Sequence, residues 1–189
     1  MDLSETNGGR SFLCARKFPI FTFFLKRLNV KLIKTSELDS TKTYIFGIHP
    51  HGILPFGSLS GLVCESEHGF SSLFPGIQFR FLAASFCFYC PIYRDVLLGC
   101  GVIDAAKFSA KCAIEKGFSL ALVPGGATEA LYSRPDQDIL YLRNRKGFIR
   151  LAIETGSHLV PVFAFVPHYL IERMNVMPLI SLILILLSP

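Results

Sequence analysis

The residues best placed to do chemistry are two histidines, His49 and His51, in the run Ile48-His49-Pro50-His51-Gly52. Imidazole titrates near neutral pH, so a histidine held in place is a natural general base. Pro50 biases His49 away from helical dihedrals, and Gly52 lets backbone or ligand approach closely. A second break, Pro124-Gly125-Gly126-Ala127-Thr128-Glu129, offers backbone N–H groups suited to an oxyanion or phosphate, and Glu129 close behind. Arg145, Lys146 and Arg150 form a basic group that fits the phosphates of a ligand. Each feature also has a plainer explanation as polar turn, tight glycine turn or solvated charge.

Other chemistries find less support. A His-x-His metal site here lacks a carboxylate or further histidine at a usual ligand spacing, so no metal is assigned. Cys87-x-x-Cys90 lacks the second pair that a zinc site needs, and Phe88 and Tyr89 lie between its members. The chain has six cysteines in apolar neighbourhoods, which read as free thiols in a reducing compartment. There is no Gly-x-Ser-x-Gly nucleophile elbow.

These groups must be held by surrounding elements. Residues 43–48 form an apolar strand that delivers the histidines. Residues 118–123 form a second, continuous apolar run that feeds the Gly-Gly turn, as expected of a strand buried on both faces. Further strands are expected at 30–35, 79–89, 102–104 and 159–166, the last of them buried. Helices are expected at 53–64, near 93–98, at 105–116 with Ala105, Phe108, Cys112 and Ala113 on one apolar face, and at 144–155 with Gly156 as cap. The alternation argues for an α/β domain, a mixed sheet flanked by helices.

With 189 residues, one domain with a real core is expected. Hydrophobic residues make up 51% of the chain, 18 of them phenylalanine, and mean hydropathy is +0.46. Such a composition suggests apolar surface buried in lipid or a partner as well as in the core. The net charge of +5, with basic residues gathered near the start, suits anionic headgroups. No nucleic-acid motif accompanies it. Residues 12–28 are rich in phenylalanine but carry Arg16, Lys17, Lys26 and Arg27, so they suit a helix lying in a membrane interface. Residues 177–187 are almost wholly apolar, yet both segments fall short of the about 20 residues that a helix needs to span a bilayer.

Taken together, the ordered blocks carry a resemblance. They are His49-Pro50-His51-Gly52, Pro75-Gly76, Gly125-Gly126-Ala127-Thr128-Glu129-Ala130-Leu131, Arg145-Lys146-Gly147-Phe148-Ile149-Arg150, and Gly156-Ser157-His158-Leu159-Val160-Pro161-Val162-Phe163. Over roughly residues 25–165 the chain resembles the type-2 diacylglycerol acyltransferase family, which also contains monoacylglycerol and wax-alcohol acyltransferases. The resemblance implies a glycerolipid-acyltransferase-like fold with membrane-associated apolar segments. It implies an O-acyltransferase of the endoplasmic reticulum membrane and lipid-droplet surface that makes neutral lipid. The donor would be acyl-CoA, a co-substrate rather than a cofactor. The acceptor would be a mono- or diacylglycerol or a long-chain alcohol, and a homo-oligomer is an open option. His49 and His51 would mark the active site with Glu129. Pro50, Gly52, Gly125, Gly126, Arg145, Lys146 and Arg150 would bind substrate. More distant glycerolipid acyltransferases carry His-x-x-x-x-Asp, but Leu54 and Phe56 stand five residues after these histidines, so an assisting carboxyl must come from afar, with Glu129 the candidate.

The chain also departs from that pattern. A short stretch replaces the family's opening hydrophobic hairpin, and Val166-Pro167-His168-Tyr169 replaces the usual Gly-Glu continuation. The expected organisation is therefore an N-terminal tail and interfacial segment at 1–28, an acyltransferase-like domain at 29–166 and a divergent apolar tail at 167–189. The altered ending carries a competing expectation, an inactive truncated fragment that binds lipid or a full-length relative. A metal-dependent hydrolase using His49 and His51 is a third reading.

Overall fold

In the computed structural model, the structure describes residues 2–19, 23, 31–50, 61–63, 65, 69–132 and 139–165. Five strands form one sheet: β1 (Tyr44–His49), β2 (Phe79–Ala83), β3 (Val102–Asp104), β4 (Ser119–Leu122) and β5 (His158–Phe163). Their spatial order is β3-β2-β4-β1-β5, and all four neighbouring pairs run parallel. The mixed sheet expected from the sequence is thus a parallel one. Parallel neighbours need crossover connections, and helical segments supply them. After α1 (Leu13–Arg16), which precedes β1, these are α2 (Phe70–Leu73), α3 (Pro91–Gly99), α4 (Lys107–Glu115), α5 (Gly126–Tyr132) and α6 (Gly147–Thr155).

Parallel strands covered on both faces read as unbroken apolar runs. Tyr44 through Ile48 do so, and all are buried. Side chains alternate across the strand, so the core falls into two layers. Tyr44, Phe46 and Ile48 face a layer that holds Phe70, Phe79, Phe81 and Leu98. Phe70 is its hub, with the rings of Phe46 and Phe79 at 5.3 and 4.6 Å. Ile45 and Leu120 face the other layer, built from Ala110, Ala113 and Ile114 of α4 and Leu151 and Ala152 of α6.

Several local expectations are revised. Residues 31–35, the described part of the first expected strand, lie outside the sheet. The aromatic run after Phe79 stays extended only to Ala83 and then coils into a 3-10 turn, Ser85–Phe88. Helix α4 turns Ser109, Ala110, Ala113 and Ile114 inward and leaves Phe108 exposed. Small residues there let the helix lie close to the sheet, which a bulky phenylalanine would prevent. β5 is an edge strand, half-exposed rather than buried, because only β1 pairs with it. Gly156 does end α6, at φ 66°, and its N–H donates to the Ala152 carbonyl. Among the described residues no helix is long and apolar enough to cross a membrane. Most of 18–28 and all of 177–187 lie outside the described residues, as does most of the expected helix at 53–64.

The polar start of the chain packs against the domain. The Asp104 N–H at the β3 edge donates to the Glu5 carbonyl at 3.0 Å. Arg94 of α3, itself buried, pairs with Asp2 at 2.6 Å and Glu5 at 2.5 Å. Lys116 donates to the Asn7 carbonyl at 2.9 Å. The segment thereby covers one edge of the sheet, where unpaired backbone groups would otherwise stand open.

Candidate active site

The connection leaving β1 leads to one side of the sheet, toward β2, and that leaving β4 leads to the other, toward β5. β1 and β4 are neighbours, so the two connections diverge at their C-terminal ends, which makes this a switch point of the sheet. In open parallel sheets this switch point is where ligands bind. Ile45, Phe46 and Gly47 lie beside Leu120, Ala121 and Leu122, which brings the ends after His49 and Leu122 to the same rim. Both strand-to-turn breaks singled out in the sequence therefore converge.

His49 is the last residue of β1, and its side chain is 12% exposed. Glu129, on the first turn of α5, is 1% exposed. His49 Nδ1 stands 3.9 Å from Glu129 Oε2, within charge–charge reach but beyond hydrogen-bond distance. Nδ1 is buried and has no hydrogen-bond partner among the described residues. Burial pushes the imidazole pKa below its usual 6.5, and the charge of Glu129 opposes that shift in part. The net effect favours a neutral ring at neutral pH, able to accept a proton. The other end of the ring lies over Gly47. A Cβ at that position would stand 3.7 Å from both His49 Nε2 and Pro124 Cγ, and 4.0 Å from a ring carbon of Phe148.

Glu129 is held from two sides. The Tyr141 backbone N–H donates to Oε2 at 2.8 Å. Its side chain also lies against the backbone of Gly125, where a Cβ would fall inside the carboxyl group and only 2.6 Å from Glu129 Cβ. Gly125 is thus required by close approach. The neighbouring Gly126 opens α5 at φ 56° and donates its N–H to the Val123 carbonyl at 3.1 Å, a bond internal to the turn.

The basic group divides. Arg145 donates to Thr128 Oγ1 at 2.7 Å, and its guanidinium lies 5.4 Å from the Tyr141 ring centre. It ties the loop before α6 to α5 and so helps hold the Glu129 helix. Lys146 is the N-cap of α6 and makes no side-chain cap bond; it and Arg150 are exposed. α6 descends from the rim that carries His49, so both cations stand on that side, at a helix end that attracts anions. Pro50 is buried, joined to His49 by a cis peptide. His51 and Gly52 lie outside the described residues. Among the described residues no three metal-ligating side chains come together.

The sequence reading missed Gly47, Thr128, Tyr141 and Phe148 as parts of this site. Period-two alternation carries the signal for Gly47, since it shares a strand face with His49. Tyr141 acts through its backbone, and no pattern of side chains announces that.

The chain matches the family model described as diacylglycerol acyltransferase over residues 2–177. It is 43% identical over 162 residues to "Diacylglycerol O-acyltransferase 1" of Schizosaccharomyces pombe, covering 85% of this chain and 47% of that one. It is 39% identical over 177 residues to "Diacylglycerol O-acyltransferase 2A" of Umbelopsis ramanniana, covering 92% and 50%. It is 36% identical over 171 residues to "2-acylglycerol O-acyltransferase 1" of Bos taurus, covering 89% and 51%. The chain spans about half the length of the curated relatives it matches. No solved structure matches it. By the extent of these matches, the chain belongs to the diacylglycerol acyltransferase family.

Proposed function

We propose that this chain carries the catalytic centre of an O-acyltransferase that moves a long-chain acyl group from acyl-CoA to a lipid hydroxyl. The observation that carries the reading is a desolvated imidazole, His49, with a buried carboxyl group behind it at the switch point of a parallel sheet. The acceptor class, a mono- or diacylglycerol, follows the names of the relatives; a long-chain alcohol is the alternative. The working site is the surface of the endoplasmic reticulum membrane or a lipid droplet.

With Nδ1 turned toward Glu129, the tautomer protonated there leaves a lone pair on Nε2. His49 takes the acceptor's hydroxyl proton as its oxygen attacks the thioester carbonyl. The new C–O bond forms, the C–S bond breaks, and the thiolate of coenzyme A regains the proton. Glu129 stabilises the imidazolium present between those events. No acyl-enzyme and no cofactor are needed. Lys146 and Arg150 at the start of α6 take the phosphates of coenzyme A, while Arg145 supports the Glu129 helix through Thr128.

The test uses membranes from cells expressing the chain, with labelled long-chain acyl-CoA and monoacylglycerol, diacylglycerol or a fatty alcohol in turn. Product that disappears in His49→Ala at equal protein level supports the reading and identifies the acceptor. No product above background from protein shown to be folded overturns it for this chain and favours the inert lipid-binding fragment.

A further inference from the structure

His49 ends β1, whereas Phe79 and Arg80 begin the parallel β2. At that opposite rim lies a cavity of about 330 Å³. Ser11 and Arg16 of the N-terminal segment, Glu65 and Ser71 of the β1–β2 connection, and Gln78 and Arg80 line it. Three separate stretches of chain therefore meet around one polar space, far along the strands from the acyl-transfer site.

Its charges are not balanced. Glu65 is the one carboxyl in the lining, against two guanidiniums. Arg16 Nη2 lies 2.9 Å from Glu65 Oε1 in an ion pair, yet is buried with no hydrogen-bond acceptor among the described residues. Glu65 also accepts from the Ser71 hydroxyl at 2.9 Å. Arg80 is only 8% exposed and has no carboxyl partner among the described residues. It donates to the carbonyls of Gly8 at 2.8 Å and Phe79 at 3.2 Å, and its guanidinium sits 3.8 Å from the Phe118 ring centre. Burial, with the charge of Arg16 added, pulls its pKa down to about 10. A buried cation beside a like charge is costly, and carbonyls and a ring face offset only part of that. An anion between the guanidiniums would offset the rest and satisfy Arg16. A tetrahedral phosphate can take two guanidiniums and several hydroxyl or amide donors at once, all of which line this space.

We propose that this cavity binds a phosphate group, free or at the head of a lipid, between Arg16 and Arg80, with Ser11, Ser71 and Gln78 as further donors. Bound there, it fastens the N-terminal segment to the start of β2. The site is independent of the acyl-transfer reading, and its test does not measure turnover.

The full chain in detergent micelles is titrated with sodium phosphate against sodium chloride at matched ionic strength, following Tm. Flotation with phosphatidylcholine vesicles, with and without phosphatidic acid, forms the second arm. Gln78→Glu supplies the missing carboxyl at an exposed position and so keeps the fold where Arg80 variants would threaten it; Ser36→Glu controls for charge alone. The expected result is a saturable Tm rise with phosphate, shifted to roughly tenfold higher concentration in Gln78→Glu but not in Ser36→Glu. Inert free phosphate, together with phosphatidic-acid vesicles that prefer the wild type and Ser36→Glu over Gln78→Glu, assigns the site to a headgroup. If neither free phosphate nor phosphatidic acid distinguishes Gln78→Glu from Ser36→Glu, the proposal is overturned.

Discussion

The end of β1 and the outer edge at β3 treat buried charge in opposite ways. At the C-terminal rim, His49 is stripped of solvent and faces a carboxyl group 3.9 Å away, too far for a hydrogen bond. At the β3 edge, Arg94 meets Asp2 at 2.6 Å and Glu5 at 2.5 Å. The hydrogen bond from Arg94 is the main cause that brings the Asp2 carboxyl from 3.8 down to about 2. Direct contact locks a charge state; a looser pair inside a dry site leaves the proton able to move. The first arrangement suits an anchor and the second suits a base.

The sharpest way to break the contrast is His49→Ala. Loss of a general base costs roughly 10²- to 10⁴-fold in rate, so acyl transfer should fall by that order while the thermal transition persists. Activity and melting on the same preparation check it. Gly125→Ala comes next. Its new methyl group would occupy the place of the Glu129 carboxyl. Overpacking of this kind costs about 1–3 kcal/mol, and displacement of the His49 partner lowers turnover by up to roughly 100-fold. Unchanged Tm and activity would show that the carboxyl does not need its place against Gly125.

Glu129→Gln sharpens the comparison through pH. The wild-type acid limb of activity should lie below 6.5, because burial lowers the His49 pKa. Glu129 raises that pKa, so Glu129→Gln should move the limb to still lower pH. A limb that moves upward contradicts the assignment. The same shift has a sign for stability. The unfolded chain binds the His49 proton more readily, so this contribution is present above pH 6.5 and is lost as pH falls through the depressed folded value. At the β3 edge, Asp2 contributes stability above 3.8 that is lost as pH falls toward about 2. Protease nicking within residues 2–12 should therefore rise over that lower window, and Asp2→Asn should show the increase already at neutral pH. The smallest effect belongs to Lys107→Ala. Its pair with Glu154, at 2.8 Å, is exposed on both sides, and such pairs contribute little. Tm should stay unchanged within error.

Much of the frame was legible in the residues. The continuous run 118–123 announces a strand buried on both faces, and β4, with Ala121 in one core layer and Leu120 in the other, is one. Gly156 announces a helix end, and it adopts the left-handed conformation that calls for glycine. These signals are local: they depend on dihedral preference and on which neighbours alternate. The inward face of α4 was misread because Phe108 is the more hydrophobic residue, while Ser109 and Ala110 are the ones small enough to lie against the sheet. Strand direction was also out of reach, since the apolar runs that make strands do not say which neighbour each will take.

The sequence by itself determined the residue types at two strand ends, the glycine that one turn needs and the basic opening of α6, because each is written in a few consecutive positions. Only the tertiary structure decided that His49 and Glu129 meet, that Tyr141 lends its backbone, that Arg145 serves Thr128, and that the polar start of the chain closes over Arg80 and Arg94. Those choices depend on strand order and on desolvation, which are properties of the assembled sheet. A carboxyl 80 residues from its histidine becomes a neighbour only when β4 slots in beside β1.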